Sequence, residues 1–188
     1  MNSRFVLVSI SILAMLGLSA CSTPAPPYAV SIPNVQALKS ATASGVAVGE
    51  VSAQGSAANN DSISIRGNPM VSPQGTFSKY LQNALIQELT EARLLDPKSS
   101  VQITAILVKN DISAAGFITA SAEIEAKFSV SKSGKLAFEK SKRATVEWGS
   151  NFVGMIAIPR AQQNYPALVS ALLKELYADA DFVNALKK

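Results

Sequence analysis

Residues 117–130 read FITASAEIEAKFSV and residues 136–148 read LAFEKSKRATVEW. In the first stretch Ile118, Ala120, Ala122, Ile124, Ala126, Phe128 and Val130 are apolar. Thr119, Ser121, Glu123, Glu125, Lys127 and Ser129 alternate with them. That period of two belongs to a strand with one buried face and leaves little room for a helix. The second stretch keeps the same parity at Leu136, Phe138, Ala144, Val146 and Trp148, with Lys140 and Lys142 as exceptions. Lys132-Ser133-Gly134-Lys135 supplies the turn between them. The expected product is an antiparallel hairpin of about thirteen residues per arm, where about five or six is usual. Its polar face offers Glu123, Glu125 and Lys127 opposite Arg143, Thr145 and Glu147, pairs that contribute about 0.2–1 kcal/mol each. The small side chains at 120, 122 and 126 let a helix approach the other face closely.

Outward from the hairpin, VQITAILVKN (101–110) is apolar on both parities toward its end, which suits a central strand. TFSKYLQNALIQELTEARLL (76–95) predicts a helix from Phe77 to Leu94. Thr76 caps it, Phe77, Leu81, Ala84, Leu85, Leu89 and Ala92 lie on one face, and Glu88 interrupts that face. Asp96-Pro97 stops it. A second helix is expected from about 161–164 to 178, carrying Leu168, Val169, Leu172, Leu173 and Leu176. A third runs from Asp181, as cap, to Leu186. Residues 45–52 read as a first strand and 62–66 as its hairpin partner, because a structureless loop over 53–75 would be unusually long. The resulting fold class is α+β: an antiparallel or mixed sheet with a long hairpin, covered on one face by two helices.

The amino end is of another kind. MNSRFVLVSISILAMLGLSAC (1–21) has Arg4, an apolar run from Phe5 to Leu18, then small residues and Cys21. About fourteen apolar residues are too few for a bilayer-crossing helix, which needs about 20, and suit a signal peptide of residues 1–20. Leu18-Ser19-Ala20-Cys21 resembles the lipobox of bacterial lipoprotein precursors. The resemblance implies cleavage before Cys21, a diacylglyceryl group on its thiol and a further acyl chain, such as palmitate, on the new amine. Two or more acyl chains hold a protein stably on a membrane, whereas one does so marginally. Ser22 rather than Asp after the cysteine implies the outer membrane, with the domain facing the periplasm. An ordinary secreted protein and an uncleaved anchor are the competing readings. Ser22 to Thr42, with prolines at 24, 26, 27 and 33, reads as a tether, so that 21–44 would be lipidated cysteine and linker and 45–188 a single periplasmic domain.

Removal of 20 residues from 188 leaves 168, one domain's worth. The retained part carries 16 Lys+Arg against 13 Asp+Glu, or +3, since Arg4 leaves with the signal. With no histidine and one cysteine, no imidazole chemistry and no internal disulfide are available. Ser131-Lys132 and Ser133-Gly134-Lys135 fall in a hairpin turn that offers no apolar enclosure to lower a lysine pKa. Glu123 and Glu125 lack a cleft. The scattered glycines match no phosphate loop. No enzyme activity, no cofactor and no metal are expected.

Lys140-Ser141-Lys142-Arg143 is the dense basic run. It is too small for nucleic acid, and its alternatives are a solvated strand face or contact with anionic headgroups. Trp148, Tyr80, Tyr165 and Tyr177 read as core or rim aromatics. Residues 149–166, GSNFVGMIAIPRAQQNYP, leave two readings open. They form either a strand that enters the core or an exposed partner-contact patch built on Phe152, Met155, Ile156 and Arg160.

The order of elements, and the 76–95 helix in particular, is similar to outer-membrane lipoproteins of the YajG kind, over roughly 45–186. That resemblance implies no active residue, and auxiliary lipoproteins of lipid-transport systems stand close behind it. The functional expectation is a non-enzymatic envelope accessory or structural lipoprotein acting through protein contacts, attached to the membrane through Cys21. The alternative is a lipid or hydrophobic-ligand carrier, which requires an enclosed cavity lined by Ile118, Ile124, Leu168 and Leu172.

Overall fold

The computed structural model describes residues 22–41, 45–116 and 118–187; the expected signal peptide and Cys21 itself lie outside them. The fold is α+β with two mixed sheets and no closed barrel. The larger sheet contains β2 (Ala47–Ala53), β5 (Val101–Ser113), β6 (Thr119–Lys132) and β7 (Lys135–Gly149) in the order β2-β5-β6-β7. The smaller contains β1 (Thr23–Pro24), β4 (Asn68–Val71) and β3 (Ser62–Ile65) in the order β1-β4-β3. The helices are α1 (Ile32–Ala41), α2 (Phe77–Glu91), α3 (Gly154–Gln163), α4 (Tyr165–Tyr177) and α5 (Ala180–Leu186).

The long hairpin forms as its alternation requires. Ala120, Ala122, Ile124, Ala126, Phe128 and Val130 are all buried, and α4 lies across β6 and β7 on that face. Ser133 and Gly134 both have positive φ, 49° and 79°, the backbone of a two-residue hairpin turn whose twist matches its strands. One expectation fails near the turn. Val130 pairs with Phe138 but Ser131 with Leu136, so β7 carries one extra residue there, and Leu136 is 65% exposed instead of buried.

The two inward-parity lysines have a reason that lies far along the chain. Lys142 reaches Asp179 Oδ2 at 2.6 Å, and Lys140 reaches Asp179 at 3.1 Å and Asp181 at 2.7 Å, between α4 and α5. Hydrogen bonds from the two lysines hold the Asp179 carboxyl well below the usual carboxylate range. Asp179, rather than Asp181, also caps α5, accepting from the amides of Asp181 and Phe182. On the solvent face Glu125 stands opposite Arg143 and Glu123 opposite Thr145. Glu123 is gripped by Arg143 at 2.6 Å and by Lys109 at 3.0 Å.

Helix α2 begins as expected, with Thr76 Oγ1 accepting from the Lys79 amide. It ends at Glu91, three residues before the predicted Leu94, because Arg93 turns left-handed at φ 60° and the amides of Leu94 and Leu95 return to the Leu89 carbonyl. The expected second helix forms as α4, with Pro166 in its first turn, and residues 154–163, read from sequence as a strand or an exposed patch, form a further helix, α3, that ends at Asn164.

Two larger corrections concern the amino-terminal half. The hairpin expected between 45–52 and 62–66 does not exist. β2 runs parallel to β5, and β3 pairs with β4, a strand the sequence hid behind Pro69. Parallel partners lie a crossover apart, here with α2 between them, so no local turn announces the pairing.

The segment expected as a tether is folded onto the domain. β1 pairs parallel with β4, the Ala25 amide donates to the Val71 carbonyl at 2.8 Å, and Tyr80 Oη donates to the Pro26 carbonyl at 2.8 Å. Tyr28, Val35 and Leu38 are buried, and α1 packs against α2, α4 and α5. Prolines at 24, 26 and 27 fix an extended backbone, which suits an edge strand as well as a linker. The folded unit therefore includes residue 22, not only residues from 45 onward.

Candidate functional site

The apolar segment after β7 is neither a core strand nor a loose loop. It turns through Phe152 and Val153 into α3, and the residues around this entry stand in solvent: Phe152 is 74% exposed, Met155 88% and Ile156 45%, with Val153 beside them. Ile118 joins them at 84%, since the Ser150 amide donates to its carbonyl. Contiguous exposed apolar area of this kind is uncommon on protein surfaces and is often used for contact. Pro159 sits inside α3 and withdraws the amide that would have bonded the Met155 carbonyl, weakening the helix under the exposed turn.

Two arginines hold this turn in place. Arg66 lies at the β3–β4 turn with φ 50°, followed by Gly67 at 81°. Its Nε donates to the Ala114 carbonyl at 2.6 Å, Nη1 to Phe152 at 3.0 Å, and Nη2 to Asn151 at 2.9 Å and Gly116 at 3.3 Å. One planar guanidinium thus ties the small sheet to both loops that flank the long hairpin's open end. Gly116 is required here, since a Cβ on it would meet the Thr119 carbonyl oxygen at 2.2 Å. Arg160 donates from Nη1 to the Gly149 carbonyl at 2.9 Å. Asn151 Oδ1 accepts from the Val153 amide at 2.8 Å. Of the four residues named from sequence, Phe152, Met155 and Ile156 form the exposed turn, and Arg160 braces it. Arg66 carried no signal, because its partners are backbone carbonyls about 50 and 85 residues away.

Arg66→Ala is expected to leave the core intact and to loosen residues 114–118 and 150–156. Amide hydrogen exchange there should rise at least tenfold over wild type, and Arg66→Lys should rescue little of it, because an ammonium cannot bond four divergent carbonyls. Unchanged protection of both loops would show that the clamp does not hold them.

Glu88, which the sequence showed only as an interruption of the apolar face of α2, is fully buried there. Its Oε1 accepts from Tyr28 Oη at 2.5 Å, Asn34 Nδ2 at 3.1 Å and the Ser31 amide at 3.3 Å; Asn34 Nδ2 also reaches the Ser170 carbonyl at 3.0 Å. Burial raises the pKa of Glu88, and its hydrogen bonds oppose that rise. Burial, with Glu88 nearby, pushes the Tyr28 and Tyr177 hydroxyls far above their ordinary values. This carboxyl binds the folded amino-terminal segment to α2 and α4; with its oxygens engaged and no exposure, it faces no substrate.

The cavity expected for a hydrophobic ligand is not formed by the residues named for it. Ile124, Leu168 and Leu172 are sealed in core contacts, while Ile118 is outside the core. An open groove of about 430 Å³ lies at the far end, lined by Lys132, Phe138, Glu139, Lys140, Asp181 and Asn184. Lys140 and Asp181 neutralise each other across it. Tyr80, Tyr165 and Tyr177 are core residues and Trp148 is half-buried, as expected. Among the described residues no group of three or more Asp, Glu, Cys or His could hold a metal, and no helix is long and apolar enough to cross a membrane.

No protein-family model matches the sequence, and no curated protein matches it. Among solved structures the fold is similar to protein XCC0632 from Xanthomonas campestris, of the DUF330 family, with 14% identity and a TM-score of 0.54, covering 82% of this chain and 92% of that one. Hypothetical protein CT253 from Chlamydia trachomatis matches at 13% identity, TM-score 0.49, over 76% and 99% of the two chains. A protein from Caulobacter crescentus CB15 described as a candidate lipoprotein matches at 12%, TM-score 0.45, over 82% and 96%. At such identities the likeness to XCC0632 is one of fold and carries over no residue's role.

Proposed function

We propose that the chain is an accessory lipoprotein of a bacterial envelope, held by acyl groups on Cys21 in the outer membrane with its domain in the periplasm, and that it acts by contact and not by catalysis. The observation that supports this reading best is the braced apolar turn of Phe152, Met155 and Ile156. It is exposed, yet fixed by Arg66 and Arg160, and a preorganised surface loses less freedom on binding. The buried polar groups, Glu88 foremost, are by contrast consumed in holding the fold together.

The test is photo-crosslinking in intact envelopes from a photoreactive residue at position 155 or 156, with Ser133 at the hairpin tip as the comparison site. A defined adduct to one envelope component, protein or lipid, is expected at 155 and 156 and is expected to fade in Arg66→Ala. Labelling no stronger than at Ser133, from correctly acylated protein, would sink the contact reading.

A further inference from the structure

The place where the chain leaves the fold says what the apolar turn meets. β1 is parallel to β4, with Thr23 opposite Met70 and Pro24 opposite Val71. Continuing that register sets Ser22 beside Pro69, next to the Arg66-Gly67 turn that joins β3 to β4. One strand spacing and a few residues along the strand place the Ser22 backbone on the order of 10–15 Å from that of Arg66. Arg66 is itself bonded to the carbonyls of Asn151 and Phe152. The amino-terminal exit and the apolar turn therefore share one end of the molecule.

Ser22 is the single residue between Cys21 and β1. Two residue steps span at most about 7 Å. Acyl chains on Cys21 lie among the lipid tails, so the fold cannot stand clear of the bilayer: the end that bears Ser22 rests at headgroup level. An uncleaved apolar run from Phe5 to Leu18 would impose nearly the same closeness.

We propose that the surface formed by Ile118, Val153, Met155 and Ile156 is a membrane-seating face, embedded in the interface of the same bilayer that holds the acyl chains of Cys21. This rests on the lipoprotein reading above and names the partner of its contact surface. Apolar side chains at such a depth, about 5–10 Å into the headgroup and acyl boundary, add their buried area to the anchor. Arg160, exposed beside them, keeps its charge at the phosphate level while its stem covers apolar surface. β6 rises away from this end through 14 residues at about 3.3 Å each, which carries the Ser133-Gly134 tip roughly 45 Å from the seated face. The seated end orients the domain, and the far end projects into the periplasm.

The acylated full-length protein is reconstituted into phosphatidylethanolamine–phosphatidylglycerol vesicles. Because acylation consumes the sole native cysteine, single spin labels are placed through Met155→Cys, Ile118→Cys and Ser133→Cys. The first two sites are highly exposed, so the fold tolerates them. At 155 and 118 the label is expected to be at least threefold more accessible to dissolved oxygen than to an aqueous nickel chelate, relative to the label at 133. Equal chelate access at 155, 118 and 133 would overturn the proposal. So would a label shielded from both reagents, which means a protein or a second copy covers the face. The mass of the mature amino-terminal peptide separates the two failures. Acylated Cys21 with position 155 in water defeats only the membrane seating; unmodified Cys21 defeats the lipoprotein reading with it.

Discussion

Glu88→Ala is expected to lower the free energy of unfolding by about 3 kcal/mol and to release residues 22–41 from the domain. Tyr28 Oη, Asn34 Nδ2 and the Ser31 amide all end on this carboxyl, so its removal strips partners from three donors within residues 28–34, Asn34 alone keeping the Ser170 carbonyl, and leaves a void between α1, α2 and α4. Hydrogen exchange over 22–41 is expected to approach that of an open segment, while β5, β6 and β7 keep their protection. A loss below about 1 kcal/mol, with 22–41 still protected, would show that packing of Tyr28, Val35 and Leu38 suffices without the carboxyl.

Glu88→Gln separates shape from charge. The glutamine oxygen still accepts from Tyr28, and no charge has to be buried. Because burial raises the folded pKa of Glu88 above its unfolded value, this group's contribution to stability is complete below the unfolded pKa and is lost as pH rises through the folded one. The glutamine variant lacks that dependence. Its stability relative to wild type is therefore expected to improve as pH rises above the unfolded carboxyl value and to level off once pH passes the raised folded one, measured by urea unfolding at each pH. Asp179 and Glu123 have lowered pKa values and act in the opposite sense, losing their contribution as pH falls, but they are common to both proteins and cancel in the difference. A difference that does not vary with pH would exclude Glu88 as the titrating group.

Cys21→Ser is expected to move the protein almost completely from the membrane to the soluble fraction if its signal is otherwise processed, since no acyl chain remains and the apolar turn alone is a weak anchor. Thermal stability of the released domain should match wild type within about 0.5 kcal/mol, because the change swaps one sulfur for an oxygen at a position that precedes β1 in the chain. Wild type fractionating with membranes, with the mature peptide heavier by a diacylglyceryl group and an acyl chain, completes the comparison. A Cys21→Ser protein that has lost residues 1–20, by mass, and still sediments quantitatively with membranes, resisting high salt, would reject acyl anchoring as the main attachment.

The hairpin was legible because a strand with one buried face writes a period of two into its own residues, and 120–130 does so without a break. α2 and its Thr76 cap were legible for the same local reason. Lys140 and Lys142 looked like exceptions to the strand pattern because their partners are Asp179 and Asp181, about 40 residues on. Glu88 looked like a flaw in an amphipathic helix because its donors come from a segment that composition marked as linker. Arg66 was silent, since backbone carbonyls leave no trace in residue identity. Ile118 was assigned inward by parity, yet β6 begins at Thr119, and past the strand's end the pleat no longer directs a side chain.

Local residue pattern sufficed to tell which faces of the long hairpin and of α2 and α4 are buried, where the chain turns at 133–134, and that Cys21 follows an apolar export-like segment. Each of these follows from residues within a few positions of one another. Tertiary structure alone decided that β2 pairs with β5, that residues 22–41 belong to the fold, and that the apolar turn shares an end with the amino-terminal exit. Those outcomes depend on strand pairing, burial of a carboxyl and one arginine's carbonyl partners, all between segments distant in the chain.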